Sequence, residues 1–416
     1  MGQFAYRNSE LCCEQVPLRA LAADVGTPAY VYSKAALLES LGAYARAFAA
    51  VPHVVCYAIK ANANLGVLGA LARAGAGADI VSGGELYRAL RAGVPPRKII
   101  FSGVGKTREE LRAALEAGIL MFNVESRSEL RVLDQVAREL GARAPVALRV
   151  NPDVDPETHP YIATGLRASK FGIPYDEALE AYEEAAGLEG VEVVGVDMHI
   201  GSQLTKTAPF GDAVARVASL VKVLRERSVD IRLVDIGGGL GIRYREEAPP
   251  THAQYATVLL PALSELGVTV LLEPGRSIVG NAGILLTRVL YRKDTGEKQF
   301  VVVDAAMNDL IRPALYDSWH ELRPVDQARL AGPMEKADVV GPVCESGDFL
   351  AKDRELAATE EGDLLAVMSA GAYGFVMSSN YNARPRAVEV LVDGGRYTIV
   401  RRRETYEDLV AGETAL

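Results

Sequence analysis

Eight short apolar, β-branched runs recur between residues 50 and 275, and stretches of helical period separate them. The runs are 54–59, 78–82, 98–103, 119–125, 146–151, 193–200, 231–238 and 268–274. The intervening stretches, such as TREELRAALEAG at 107–118, end in glycine as amphipathic helices often do. Apolar strands that alternate with helices predict a parallel sheet covered by helices. Eight such units favour an α/β fold of the closed (β/α)8 TIM-like barrel type, and an open doubly wound sheet is the alternative on pattern alone.

The pattern changes after residue 278, where short strands joined by turns replace the helical stretches. These runs are 299–306, 337–345, 364–370, 387–395 and 396–403. They predict a C-terminal antiparallel β domain, and PAYVYS at 28–33 is expected to add a strand to it. We therefore predict an N-terminal segment at 1–35 that joins the β domain, a barrel at 36–278 and the β domain itself at 279–416.

Composition excludes several classes of function for this chain of 416 residues. A net charge of −9 counts against a nucleic-acid or anionic-membrane surface, because both need clustered Lys and Arg. The apolar stretches are interrupted before the roughly 20 residues that a membrane span requires. Four cysteines, none of them in a CxxC pair, are too few for a disulfide framework. We therefore expect a reduced, cytoplasmic protein without a metal site.

Residues able to do chemistry stand where the predicted barrel strands end, which is where barrels place their functional sites. These strand ends carry Lys60, Ser82, His199, the glycine-rich turn 237–241, Glu273 and Arg276. An amine, an imidazole, a turn rich in free amides, a carboxylate and a guanidinium are thus expected around one rim.

Each of these features has an ordinary alternative. His199 could be a hydrogen-bonded histidine without a function, the turn 237–241 a tight corner, and Glu273 with Arg276 a structural ion pair. Lys60 could be a solvated charge, but its neighbours in the sequence are largely apolar, and desolvation makes an amine nucleophilic enough to form a Schiff base. Glycine-rich turns after barrel strands seven and eight favour phosphate. A phosphate site and a desolvated lysine on one rim indicate pyridoxal phosphate.

At these residues the sequence resembles the fold-type III pyridoxal-phosphate decarboxylases, which are related to alanine racemase. The resemblance covers nearly the whole chain. Its motifs are YAIKANANLGVLGAL (57–71), ADIVSGGEL (78–86), VDMHIGSQ (196–203), DIGGGLGI (235–242) and EPGRSIVG (273–280). It implies that Lys60 forms the Schiff base with the cofactor, that His199 stacks on the cofactor ring and that Ser202 approaches the phosphate.

The same resemblance assigns the glycine-rich turn and the last strand end. It implies that Gly239 donates its amide to the phosphate and that the carboxylate of Glu273 pairs with the pyridine nitrogen. Gly275 and Arg276 would complete the cofactor site, and Arg276 would also contact the substrate.

Three further motifs resemble the branch of that family that acts on diaminopimelate, and they lie at 151–173, 307–316 and 344–348. NPDVDPETHPYIATG…KFGI at 151–173 is similar to a mobile loop over the site. MNDLIRPALY at 307–316 implies that Arg312 and Tyr316 bind the distal carboxylate of the substrate.

The third of these motifs and one further family motif also lie in the predicted β domain. CESGD at 344–348 implies that Cys344 is a proton donor and that Glu345 contacts the distal amine. AGAYG at 370–374 implies that Tyr373 lies near the phosphate and the substrate. Taken alone, Cys344 and Tyr373 would be expected to pack in a core, so their assignment depends on the resemblance.

The resemblance implies a carboxy-lyase that converts meso-2,6-diaminopimelate to L-lysine and CO2, the last step of lysine biosynthesis. It also implies a homodimer, because the CES segment of this family reaches the site of the neighbouring subunit. Decarboxylases acting on arginine, ornithine or carboxynorspermidine are alternatives, but the simple diamine precursors lack a distal carboxylate for Arg312. Alanine racemase and a non-catalytic, partner-binding relative are further alternatives. CESGD counts against the first, and the presence of Lys60, His199, Glu273 and Arg276 counts against the second.

Overall fold

The computed structural model describes residues 2–154 and 170–416, and the chain divides into two compact units. The barrel unit comprises Glu39–Ile242 and Ala248–Ser277, and the β unit comprises Met1–Leu38, Arg243–Glu247 and Ile278–Leu416. The domain boundaries given above stay a prediction. The loop expected at 151–173 falls, at positions 155–169, outside the described residues.

Every one of the eight apolar runs forms a strand of one parallel sheet, as predicted. The strands are His53–Ala58, Gly77–Ile80, Ile99–Phe101, Met121–Val124, Ala144–Asn151, Val191–Asp197, Leu233–Asp235 and Thr269–Leu272. The last pairs in parallel with the first, Val270 opposite His53 and Leu272 opposite Val55, so the sheet closes on itself. The closed barrel is confirmed, and the open doubly wound sheet is excluded. A short strand, Ile173–Pro174, adds to the fifth strand outside the barrel circle.

Helices connect the barrel strands, and local sequence signals fix their ends. The α-helices of the described residues are Leu18–Val25, Lys34–Ala47, Leu65–Arg73, Gly83–Arg91, Arg108–Ala117, Arg127–Glu139, Ala178–Ala186, Ala208–Glu226, His252–Leu266, Arg276–Val279, Arg312–Tyr316 and Tyr406–Leu409. Thr107 and Glu110 form a capping box that satisfies amides at the start of one barrel helix. Gly118 ends that helix at φ 69°, a left-handed conformation that glycine adopts without steric cost.

The part of the barrel interior towards the amino ends of the strands is a small apolar core. Six fully or nearly fully buried residues from different strands pack there: Cys56, Ile100, Met121, Ala147, Val194 and Leu271. Inward-facing side chains of a barrel stack in layers, so the polar side chains nearer the carboxyl ends form a separate layer above this core.

The β unit contains a seven-strand path with shorter additions. Its strands are Phe4–Arg7, Glu10–Cys13, Val16–Pro17, Ala29–Ser33, Gly283–Asp294, Gln299–Val303, Leu322–Pro324, Met334–Val340, Phe349–Ala357, Leu364–Val367, Val388–Asp393 and Arg396–Arg401. Most pairs are antiparallel, as predicted, but two are parallel. Gln299–Val303 pairs in parallel with Met334–Val340, and Ala29–Ser33 pairs in parallel with Val388–Asp393.

The N-terminal segment belongs to the β unit, which confirms the strand predicted from PAYVYS. Ala29–Ser33 lies between Gly283–Asp294 and Val388–Asp393 in the sheet, and all five of its residues are buried. Val31, Ile284, Leu286 and Val390 share one hydrophobic core. Burial on this scale supplies most of the stabilisation of a sheet domain.

All four cysteines are free thiols, so the structure contains no disulfide. Within residues 2–154 and 170–416, we find no helix with the length and hydrophobicity that crossing a bilayer requires.

Glu14 ties the N-terminal segment to the rest of the β unit. Its carboxylate is buried and accepts hydrogen bonds from the Ser33 hydroxyl at 2.7 Å and from the backbone amides of Ala35 at 3.0 Å and Gly394 at 2.5 Å. Glu14→Ala should lower the free energy of unfolding by on the order of 2 kcal/mol, because one buried and two partly buried donors lose their acceptor. Urea unfolding measures this, with the exposed Glu361→Ala as the control; equal stability of the two variants would contradict the role of Glu14.

Candidate active site

Lys60 and Asp79 face one another across the first two barrel strands. Lys60 lies in the single 3-10 turn Ile59–Ala61 that follows the first strand, and its Nζ is 2.7 Å from Oδ2 of Asp79. The Lys60 side chain is 35% exposed, whereas that of Asp79 is fully buried. The sequence neighbours of Lys60 suggested apolar surroundings, but its side chain is partly exposed and contacts a buried carboxylate.

Glu273 follows the last barrel strand and is held from inside the barrel. The Ser102 hydroxyl donates to its Oε1 at 3.1 Å, and the Asn123 amide donates to the same oxygen at 3.3 Å. Asn123 also donates to Oδ2 of Asp235 at 3.1 Å. Oε2 of Glu273 has no hydrogen-bond partner among the described residues, so it is available to a ligand.

Three carboxyl groups lie close together inside the barrel, next to the rim. Carboxylate oxygens of Asp197, Asp235 and Glu273 all lie within 4.8 Å of one another, and the three residues are buried. Burial first, and then the neighbouring carboxylates, raise the pKa of each of the three well above its ordinary value. The nearby cation Arg149 donates to Glu125 at 2.9 Å, while its Nε and Nη2 groups have no partner among the described residues.

The imidazole of His199 is neutral and has a fixed tautomer. The backbone amide of Gly238 donates to Nδ1 at 3.1 Å, so the ring proton lies on Nε2. Burial, with the positive charges of Arg149 and Lys60, lowers the pKa of His199 well below its ordinary value. The ring therefore carries no charge at neutral pH.

The glycine-rich turn passes so close to neighbouring backbone that side chains are excluded. A Cβ on Gly238 would lie 2.2 Å from the carbonyl oxygen of Glu273, and one on Gly239 would lie 2.4 Å from that of Gly201. Gly239 also has φ 108°, a conformation that favours glycine. The backbone amides of Gly239 and Gly275 donate no hydrogen bond within the described part of the chain, and an anion would satisfy them.

Arg276 begins the helix that follows Glu273, and Ser202 holds its guanidinium. Nε and Nη2 of Arg276 donate to the Ser202 hydroxyl at 3.3 and 3.1 Å. Glu273 bonds to Ser102 and Asn123 instead, so the structural ion pair considered for Glu273 and Arg276 is not formed.

In the β unit, three neighbours fix the Arg312 guanidinium. It makes hydrogen bonds to Nε2 of His320 at 3.0 Å and to the Ser318 hydroxyl at 3.2 Å, and it lies 4.7 Å from the centre of the Tyr244 ring. Tyr316 is one helical turn further along the same short helix, Arg312–Tyr316, and is half-buried.

Cys344 and Glu345 are exposed on a loop of the β unit. Oδ1 of Asn382 accepts a hydrogen bond from the backbone amide of Cys344 at 2.7 Å. The Tyr381 hydroxyl donates a hydrogen bond to Oε2 of Glu345 at 3.4 Å. The buried Asp348 anchors the loop by accepting the amides of Met307 and Val343, each at 2.7 Å. The expectation that an isolated cysteine would pack in a core is thus wrong for Cys344.

Tyr373 is half-buried and has an unusual backbone conformation. Its φ of 55° is left-handed, which is uncommon for a bulky residue. Such strain persists only where the surrounding structure enforces it, and it is frequent at functional sites.

The structure brings seven sequence-predicted residues together at the rim of the barrel unit. They are Lys60, His199, Ser202, Gly239, Glu273, Gly275 and Arg276. The other five lie in the β unit: Arg312, Tyr316, Cys344, Glu345 and Tyr373.

Sequence reasoning missed the polar layer beneath the rim. Its members are Ser102, Asn123, Arg149, Asp197 and Asp235. The available signal was a polar residue inside or at the end of an otherwise apolar strand, since such residues are rarely buried without a partner.

Residues 34–280 match the family described as "Pyridoxal-dependent decarboxylase, pyridoxal binding domain". This match covers the barrel, the 3-10 turn Ile59–Ala61 that contains Lys60 and the glycine-rich turn 237–241. The chain therefore belongs to the class of pyridoxal-dependent decarboxylases. Over their full lengths, the chain is 59% identical to a diaminopimelate decarboxylase of Pseudomonas aeruginosa.

Solved structures agree with the sequence comparison. Diaminopimelate decarboxylase of M. jannaschii in complex with L-lysine superposes with a TM-score of 0.94 at 40% identity, over 100% of this chain and 98% of that one. The Helicobacter pylori enzyme in complex with L-lysine gives 0.91 at 43% identity, over 95% and 98%. The chain belongs to the diaminopimelate decarboxylase family.

Glu85 gives the barrel rim a measurable pH dependence. Burial, with a smaller contribution from Asp79, raises the pKa of Glu85 to about 7, although its Oε2 accepts the Val81 amide at 2.7 Å. A carboxyl with a raised pKa in the folded state stabilises the fold below its unfolded pKa, and this contribution is lost as pH rises through about 7.

Glu85→Gln keeps an acceptor for Val81 and cannot ionise. Relative to this variant, the native protein should lose up to about 3 kcal/mol of unfolding free energy between acidic pH and pH 8. Urea unfolding across that range measures the difference, and the exposed Glu116→Gln provides the control. Parallel pH profiles for the native protein and Glu85→Gln would refute the assignment.

Proposed function

We propose that this chain catalyses the pyridoxal-phosphate-dependent decarboxylation of meso-2,6-diaminopimelate to L-lysine and CO2, as a carboxy-lyase in lysine biosynthesis. The observation that carries the proposal is full-length identity of 59% to a diaminopimelate decarboxylase, without a gap in coverage of either chain. Two solved relatives hold L-lysine, which is the product of this reaction.

The barrel rim fits the cofactor in charge and in hydrogen-bonding capacity. The unpaired amides of Gly239 and Gly275 suit a phosphate, and Ser202 and Arg276 add donors next to them. The free Oε2 of Glu273 suits the ring nitrogen. The unpaired N–H groups of Arg149 suit an oxygen substituent on the ring.

Bound pyridoxal phosphate supplies an electron sink for the electron pair that remains at the α-carbon when CO2 leaves. Lys60 would hold the cofactor covalently and take it back after each turnover, with Asp79 holding the amine in position. The neutral imidazole of His199 would lie against the ring face without competing for its charge. Glu273 would keep a proton at the ring nitrogen.

The β unit would supply the groups that recognise the far end of the substrate. Arg312 is already held by Ser318 and His320, so a distal carboxylate would meet a guanidinium that loses little further freedom. Tyr316 would add a hydroxyl, Glu345 would pair with the distal ammonium, and Tyr373 would contact both phosphate and substrate. Ornithine and lysine lack the second carboxylate and would leave buried donors unpaired.

Cys344 would protonate the α-carbon, and we propose that it does so in the partner subunit of a homodimer. Its exposure supports this, because a thiol on the surface of the β unit is accessible to a second chain. Four free cysteines are compatible with the cytoplasmic location that we propose.

The function is tested by CO2 release from meso-diaminopimelate, compared with arginine and ornithine at equal concentration. We expect kcat/KM for diaminopimelate to be at least about 10⁴-fold higher than for arginine or ornithine. The other two substrates lack the distal carboxylate, so the polar groups of the site that bind it would stay unpaired and kcat/KM would fall. Lys60→Ala should abolish both the reaction and borohydride labelling of the chain, whereas the surface control Lys222→Ala should not. Faster turnover of ornithine or arginine, or labelling of another residue, would overturn the proposal.

The homodimer is tested by mixing two inactive variants, Lys60→Ala and Cys344→Ala, under conditions that exchange subunits. If each site combines one lysine and the partner's thiol, mixed dimers contain one intact site, and about one quarter of native activity returns. Mixing Lys60→Ala with the Lys60→Ala, Cys344→Ala double variant is the control and should stay inactive. No recovery in the first mixture would show that both residues act within one chain.

A further inference from the structure

The imidazole of His320 joins the guanidinium of Arg312 to the end of a strand in the β unit. Nε2 of His320 is 3.0 Å from Nη1 of Arg312, and Nδ1 is 2.8 Å from the backbone carbonyl oxygen of Met368. Met368 directly follows the strand Leu364–Val367, and its amide donates to the carbonyl oxygen of Glu321 at 2.8 Å. The fully buried imidazole is thus attached to the sheet on one side and to Arg312 on the other.

These two contacts determine which nitrogen of the imidazole carries the proton. A guanidinium can only donate hydrogen bonds, so Nε2 of His320 accepts the bond from Arg312. A carbonyl oxygen can only accept, so Nδ1 donates to Met368. The ring is therefore the neutral tautomer with its proton on Nδ1, which is the opposite tautomer to that of His199.

Neighbouring side chains keep the His320 ring in this orientation. Nη1 of Arg354 donates to the backbone carbonyl oxygen of His320 at 2.6 Å, and its guanidinium lies 4.3 Å from the centre of the Trp319 ring. The Tyr244 ring packs at 82° to the imidazole, with 5.5 Å between the ring centres. Because Tyr244 also packs on the Arg312 guanidinium, it restrains both partners of the hydrogen bond.

A neutral acceptor suits an arginine that has to bind an anion. A carboxylate in the place of His320 would also fix the guanidinium, but it would cancel the positive charge and compete with a bound carboxylate. The imidazole and the Ser318 hydroxyl fix the guanidinium without adding a charge of their own.

We propose that His320 is a positioning residue for Arg312, and that its unprotonated Nε2 holds the guanidinium in the orientation that binds the distal carboxylate of the substrate. The inference rests on the proposed function for the identity of the substrate. It goes further in assigning part of the selectivity for that carboxylate to a residue that acts through Arg312. The alternative is a purely structural role, in which His320 only attaches its loop to Met368.

Two substitutions separate these roles, because each keeps one of the two nitrogen positions of the imidazole. In His320→Gln, the amide oxygen can reach the position of Nε2 and accept from Arg312, but the donor to Met368 is lost. In His320→Asn, the amide nitrogen can reach the position of Nδ1 and donate to Met368, but the acceptor for Arg312 is lost. The proposal predicts that Gln preserves ligand affinity and Asn does not, whereas a purely structural role predicts the reverse.

The measurement is the binding of L-lysine and of 1,5-diaminopentane to the cofactor-loaded protein by titration calorimetry. L-Lysine, the product of the proposed reaction, keeps the distal carboxylate, and 1,5-diaminopentane is the same chain without it. We expect the Kd of L-lysine to rise at least about tenfold in His320→Asn and to stay within about threefold of the native value in His320→Gln. The Kd of 1,5-diaminopentane should change by less than about threefold in both variants. The KM for meso-diaminopimelate should rise with the Kd of L-lysine, while kcat stays nearly constant.

His53 provides the matched control in the barrel unit. It lies at the amino end of the first barrel strand, and its Nδ1 is likewise 2.9 Å from a backbone carbonyl oxygen, that of Val51. His53→Asn and His53→Gln should leave both Kd values unchanged. An unchanged L-lysine affinity in His320→Asn, or a larger loss in His320→Gln, would overturn the proposal. Native protein that does not prefer L-lysine to 1,5-diaminopentane would contradict the proposed function, and the inference with it.

A second measurement decides the matter if His320→Asn does not fold. Nitrogen NMR of the native protein, labelled at its five histidines, shows which nitrogen of each ring carries the proton. The signal of His320, identified by its absence from His320→Gln, should be that of a neutral ring with the proton on Nδ1. A proton on Nε2 would leave no acceptor for Arg312 and would refute the inference.

Discussion

Closure of the parallel sheet is the constraint on which the barrel unit depends. Once Thr269–Leu272 pairs with His53–Ala58, all eight strands point their carboxyl ends to one rim. Residues far apart in the chain, such as Lys60, His199 and Glu273, then share one small space. Closure also removes water from the interior, so polar atoms there that have no partner among the described residues, such as Nε and Nη2 of Arg149, are suited to bind a ligand.

The strands and the rim could be predicted because they depend on local pattern. Apolar runs of the right length and glycine at the turns suffice to identify a strand, but they give its ends only to within a few residues. The third run was predicted at 98–103, but its strand is only Ile99–Phe101, because the preceding 3-10 turn, Pro96–Lys98, takes its first residue. Proline at the start of that turn suits the turn rather than a strand.

Pairing partners could not be predicted, since they depend on residues far away in sequence. Alternation shows that Gln299–Val303 and Met334–Val340 are strands, but not that they run in parallel. In the same way, Asn123 is visible in the sequence as a polar residue in an apolar run, whereas its bond to Asp235 depends on the barrel register. The ion pair of Lys60 with Asp79 could not be predicted for the same reason, because it joins residues of two different strand regions.

The place of Ala29–Ser33 in the β sheet has a consequence for biosynthesis. This strand leaves the ribosome early, but its neighbours in the sheet, Gly283–Asp294 and Val388–Asp393, follow only after the whole barrel has been made. The barrel strands are contiguous in the chain and can close first. Until translation nears its end, an apolar strand with two open edges must be kept from pairing with other chains, and a truncated product would keep that hazard permanently.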